Sequence, residues 1–223
     1  AGKVQQKMAG FGNRTPNKNK QQISKNGPQL LEAAVIAHKS GDIKKAESLY
    51  LKAINSGFKH ETAFSNLGII YNNTNRREQA IATYKRAIAK NPNFADAYTN
   101  LGSLYKEIGS LDQALASTLK SLELKPDNPN ALMNLGSIYK NLGNLDQALA
   151  STLKSIALKL DNPSAHMNLG SIYQDLGNLD QALAANLKSL ELKPDNPTAH
   201  MNLGGIYKDL GHLDKALAAN LKS

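Results

Sequence analysis

Residues 129–162 read PNALMNLGSIYKNLGNLDQALASTLKSIALKLDN, and two apolar faces within them decide the fold. Leu132, Leu135, Gly136 and Tyr139 fall at i, i+3, i+4 and i+7, one face of a helix. Beyond Gly143 a second such face runs through Leu145, Ala148, Leu149, Leu153 and Ile156. Gly143 stands between them, where a left-handed residue ends a helix without a Cβ penalty. Asp146 sits at the start of the second face, where a carboxylate complements the positive end of the helix dipole. Asn162-Pro163 marks the turn that follows. The stretch predicts a helix, a tight turn, a second helix and a short loop.

Outward from this unit the pattern recurs every 34 residues. Asn-Leu-Gly appears at Asn66-Leu67-Gly68, Asn100-Leu101-Gly102, Asn134-Leu135-Gly136, Asn168-Leu169-Gly170 and Asn202-Leu203-Gly204. Tyr71, Tyr105, Tyr139, Tyr173 and Tyr207 follow in register, then Asn75, Gly109, Gly143, Gly177 and Gly211, then Ala80, Ala114, Ala148, Ala182 and Ala216. Pro92, Pro126 and Pro194 close three units, and Leu160 takes that place in a fourth. A fainter unit precedes them with Ala34, Ala37, Gly41, Ala46, Tyr50 and Ala53. A helix pair of this size cannot bury its apolar face alone, so the repeats must stack.

Counted from the start of a unit, Gly at the eighth place, Tyr at the eleventh, Ala at the twentieth and Pro at the thirty-second resemble the tetratricopeptide repeat family. The resemblance covers residues 27–223 and implies an all-α, right-handed superhelical solenoid. Its units are 27–60, 61–94, 95–128, 129–162, 163–196 and an incomplete 197–223, behind a basic tail of residues 1–26. The sequence departs from the family at the twenty-fourth place, where a large aromatic is usual. Tyr50 and Tyr84 obey, but Thr118, Thr152, Asn186 and Asn220 do not. A leucine column appears one place later, at Leu119, Leu153, Leu187 and Leu221. Either the second helices re-pack around these leucines, or the leucines form a convex stripe for self-association. No polar helix covers the end of the last unit, so that end is a second candidate for self-association.

Composition narrows the function. The 223 residues include no Cys and no Trp, which excludes disulfides, thiolate metal sites and a cysteine nucleophile. No apolar run is long enough to span a bilayer, and the basic start has no apolar signal region; a cytoplasmic location is expected. The net charge is +9, and six of those charges lie in residues 1–26, which hold no acid. That tail is expected to be disordered alone. Nucleic acid or an anionic membrane is a weaker expectation for it, because Phe11 is its only aromatic. There is no phosphate-cradling loop and no His-Glu-x-x-His, and the five histidines form no ligand set. His166 and His200 repeat the place of Phe64, Tyr98 and Leu132 and read as packing residues. No enzyme activity, metal or cofactor is expected.

The expected function is non-catalytic protein binding. In the family fold the first helix of each unit lines a concave wall. The sixth place there is Asn66, Asn100, Asn134, Asn168 and Asn202. A carboxamide can donate and accept together, so a column of them can hold an extended peptide backbone. This is similar to the asparagine ladder in the tetratricopeptide superhelix of protein O-N-acetylglucosamine transferases. The alternative is that each Asn bonds locally and keeps the pitch of the array. Met133, Met167 and Met201 add adaptable apolar contacts, and Lys106, Lys140 and Lys208 can meet acidic segments. A partner helix is the other ligand form. The carboxylate clamp of chaperone-binding members is not matched. Two further expectations stand beside this one: a substrate-recognition arm of a longer transferase, of glycosyltransferase or sulfotransferase type, and a self-associating assembly module.

Overall fold

The computed structural model describes residues 26–222, which form helices with no strand among them. The helices pair in chain order. The first pair is α1 (Gly27–Lys39) with α2 (Ile43–Asn55), then α3 (Glu61–Asn73) with α4 (Arg77–Lys90), and α5 (Ala95–Glu107) with α6 (Leu111–Leu124). α7 (Pro129–Asn141) packs on α8 (Leu145–Leu158), α9 (Pro163–Asp175) on α10 (Leu179–Leu192), and α11 (Pro197–Asp209) on α12 (Leu213–Asn220). Each second helix also packs on the first helix of the next unit. From α3 onward the first helices touch one another as well. They therefore line the inside of the curve, and the whole is a right-handed superhelical solenoid.

Local chemistry sets the helix ends. Asn128, Asn162 and Asn196 accept from the N–H groups of Ala131, Ala165 and Ala199 at 3.3 Å, so each caps the helix that its following proline begins. At the other end Gly109 and Gly143 adopt φ of 78°. The Asn144 N–H then reaches the Tyr139 carbonyl at 2.8 Å and the Gly143 N–H the Lys140 carbonyl at 3.0 Å. This pair of bonds closes the helix and turns the chain back. Asn75, at φ 59°, makes the same turn in the second unit, tolerable because Asn visits the left-handed region more readily than other side chains.

The core is built on small residues. Ala63, Ala97, Ala131, Ala165 and Ala199 are fully buried, as are Ala80, Ala114, Ala148 and Ala182. Ile70, Leu104, Ile138, Ile172 and Ile206 fill the space beside them. One continuous apolar cluster runs from Ala34 to Ile138, and a much smaller one surrounds Ile156, Ala165, Leu169 and Ala185.

The thinning follows from the twenty-fourth place, and it corrects the re-packing expectation. Tyr84 lies against Gly68, where an added Cβ would come within 2.5 Å of its ring. Thr118, Thr152 and Asn186 occupy that same buried position against Gly102, Gly136 and Gly170. The leucines do not substitute for the aromatic: Leu119, Leu153 and Leu187 are 43–45% exposed and Leu221 is 80% exposed. Neighbouring residues on a helix point about 100° apart, so one place later cannot share the buried face.

Candidate functional site

The asparagine column lies at the contacts between units. The Asn134 Nδ2 reaches the Thr99 carbonyl at 3.5 Å, and the Asn168 Nδ2 reaches the Met133 carbonyl at 3.2 Å. Asn100 donates to the Ser65 hydroxyl, Asn202 to the Ser171 hydroxyl and Asn66 to the Tyr50 hydroxyl. Every one of these bonds reaches back to the preceding unit. Each amide nitrogen therefore ties two units, as the pitch-keeping alternative requires. No bond to the Oδ1 of these five residues occurs among the described residues.

A second set of ties joins the twelfth place of one unit to the thirteenth of the next. Asn72 donates to Glu107 at 3.3 Å, Lys140 pairs with Asp175 at 3.4 Å, and Gln174 donates to Asp209 at 2.7 Å. Lys106 and Asn141 hold the corresponding places between the third and fourth units. Neither makes a hydrogen bond or ion pair among the described residues. Burial pushes the Lys106 ammonium below the ordinary lysine range, and neighbouring Glu107 pushes it back. Lys208 is exposed at the last unit.

The methionines sit differently from the sequence expectation. Met133 and Met167 are partly buried, and the helix-capping Asn162 and Asn196 direct their amides at the sulfurs, at 3.8 and 4.0 Å. They belong to the joints between units. Met201 makes no such contact among the described residues and is 57% exposed. Thr99 occupies the equivalent place one unit earlier and anchors a polar joint, with Ser121 at 2.7 Å and Asn128 at 3.0 Å.

His166 and His200 do more than pack. Their Nε2 atoms lie 2.9 Å from the carbonyls of Leu160 and Pro194, which pins the loop between units to the helix it enters. The sequence carried a signal for this in the matched spacing of six residues. No group of His, Asp or Glu among the described residues could hold a metal ion, and no described helix is long and apolar enough to cross a membrane. The basic tail expected over residues 1–26 lies, apart from Asn26, outside the described residues.

The sequence profile of a family described as TPR repeat matches residues 68–109, 102–143, 136–177 and 170–211, well over half the chain. No curated protein sequence matches. Among solved structures the chain is similar to MamA at 27% identity, over 70% of this chain and 91% of that one, with a TM-score of 0.57. PilF of Pseudomonas aeruginosa matches at 17% identity over 90% of this chain and 91% of its own, with a TM-score of 0.74. YrrB, described as a TPR protein with an unusual peptide-binding site, matches at 24% identity over 78% of this chain and 89% of its own, with a TM-score of 0.56.

Proposed function

The chain belongs to the tetratricopeptide repeat family, and we propose that it is a non-catalytic protein-interaction scaffold that holds an extended peptide along its first helices. One observation carries this reading. Each column asparagine bonds the preceding unit through nitrogen and leaves its oxygen without a partner among the described residues. The two roles weighed for the column are thereby compatible, one atom for each. The nitrogens keep the units in register, and the oxygens accept N–H groups from a bound peptide at one-unit intervals. Met201, Lys106 and Lys208 supply side-chain contacts, and Met133 and Met167 act indirectly by setting the joints. The description of YrrB as a TPR protein with an unusual peptide-binding site supports this reading.

The test is selection of random 12-residue peptides on the immobilised chain, with Ser137→Arg as a groove-blocked control, because Ser137 is partly exposed one turn beyond Asn134 on the same face of α7. Binders lost on Ser137→Arg are expected. Asn134→Asp keeps the acceptor but loses the donor, and Asn134→Ala loses both. The Asp variant is expected to lower the unfolding temperature while retaining peptide, and the Ala variant to lose peptide as well. Equal peptide loss in both variants would leave the column with a structural role only.

A second reading, self-association, rests on the outward-facing leucines Leu119, Leu153, Leu187 and Leu221 and on the exposed Leu213 and Leu217 of α12.

A further inference from the structure

The ties between twelfth and thirteenth places form a line of rungs along the inner wall, and one charged rung is open. Asn72 to Glu107, Lys140 to Asp175 and Gln174 to Asp209 each join a donor to a carboxylate 35 residues on. In the rung between the third and fourth units the donor is Lys106, but the residue 35 on is Asn141, which carries no charge. Lys106 is half-buried and Asn141 is exposed. The nearest acid, Glu107, is already held by Asn72 and by the Ser103 hydroxyl, each at 3.3 Å, and so is turned to the rung before. His38 and Asn73 also form an unclosed rung, between the first two units, but neither carries a fixed charge.

We propose that Lys106 and Asn141 form a carboxylate-reading subsite for a peptide in this groove. The inference rests on the peptide-binding reading given above and specifies its ligand. A carboxylate placed there accepts from the Lys106 ammonium and from the Asn141 amide. It supplies the acid that Asp175 and Asp209 supply in the later rungs. The partial desolvation that lowers the Lys106 pKa makes a bound anion worth more than one at a fully solvated lysine. Lys140 in the next rung is already paired with Asp175 and the column asparagines are neutral, so the Lys106 rung fixes the register of the peptide and the asparagines grip its backbone. A mid-groove rung suits an acidic side chain within a peptide, and the same chemistry would take a peptide's C-terminal carboxylate.

The selected 12-residue peptides provide the probe, made in two arms, C-terminally amidated and C-terminally free. Enrichment of Asp or Glu at one position is expected among groove binders. For one such amidated peptide, Lys106→Met should weaken binding roughly tenfold, Lys106→Arg should retain most of it, and raised salt should shrink the difference. Lys106→Glu should recover binding when the peptide's acid is changed to Lys. If only the free arm responds to Lys106→Met, the carboxylate recognised is the chain terminus. Groove binders without acid enrichment, or with equal affinity for folded Lys106→Met and the unaltered chain, overturn the subsite and leave the groove reading standing. A selection that yields no peptide sensitive to Ser137→Arg overturns both.

Discussion

At the residue scale the array is defined by what faces its eighth-place glycines. Gly136 lies against Thr152, and an added Cβ would meet the Thr152 hydroxyl and come within 3.0 Å of the Ala148 carbonyl. Thr152 is fully buried and its hydroxyl has no partner among the described residues, and the same is true of Thr118. An orphaned buried hydroxyl carries a desolvation cost that an apolar group of the same shape avoids. Thr152→Val is therefore expected to raise stability by about 1 kcal/mol in urea unfolding. Gly136→Ala should lower it by about 1–3 kcal/mol, because the obstacle includes backbone. Ser121 provides the contrast. Its hydroxyl meets both Thr99 and Asn128, so Ser121→Ala should cost stability where Thr152→Val gains it. A Thr152→Val variant less stable than the unaltered chain would mean that the hydroxyl is satisfied in solution. The sequence shows these glycines recurring at the eighth place of successive units. It did not reveal that the opposing side chain stays in place as a small polar group when the aromatic is lost.

At the element scale the joint between the first two units depends on charge. The Arg76 Nη1 and Nη2 atoms reach the two Glu47 carboxylate oxygens at 2.7 Å each, while its guanidinium lies 4.5 Å from the centre of the Tyr71 ring. This ties α2 to the turn before α4. The hydrogen-bonded guanidinium holds the Glu47 carboxyl below its ordinary range despite the opposing effect of burial. A carboxyl with a lowered folded pKa stabilises fully above the unfolded value of about 4.3 and loses that contribution as pH falls through the folded value. With both side chains partly solvent-screened, Glu47→Gln should cost about 1 kcal/mol at pH 7. The difference in unfolding temperature between the variant and the unaltered chain should narrow as pH falls below about 4.3 and through the folded value. A difference that stays constant as pH falls would assign the loss to packing. The elements themselves were legible because each end carries its own signal: Asn-Pro before α7, α9 and α11, and Gly109, Gly143, Gly177 and Gly211 after the first helices. The site was less so. Periodicity fixes which face of a helix a residue takes, but not how far its side chain reaches into the next unit. The methionine column thus read as groove lining, although Met133 and Met167 are covered by the following cap. The Lys140–Asp175 tie likewise became evident only once the units were stacked.

At the scale of the whole molecule the first two units of the array differ from the last four in charge and in apolar surface. Residues 27–94 carry 10 basic and 5 acidic groups, whereas residues 95–223 carry 11 and 13. The part without excess positive charge is also the part with the leucine column, and its twenty-fourth places hold Thr or Asn where the earlier units hold Tyr. Low net charge beside repeated half-exposed leucines favours association of like surfaces, since little repulsion opposes burial of the apolar stripe. The stripe and the open face of α12 make different predictions. If the stripe associates, sedimentation should show a mass that rises with protein concentration and is not reduced by high salt. Leu153→Glu with Leu187→Glu should restore the monomer without lowering the unfolding temperature of the dilute chain, because neither leucine is buried in it. If α12 associates instead, that double variant should still gain mass, and Leu217→Lys should abolish the gain. A monomer mass throughout the concentration series would leave the leucines as solvent-facing residues and remove self-association from the functions this array performs alone.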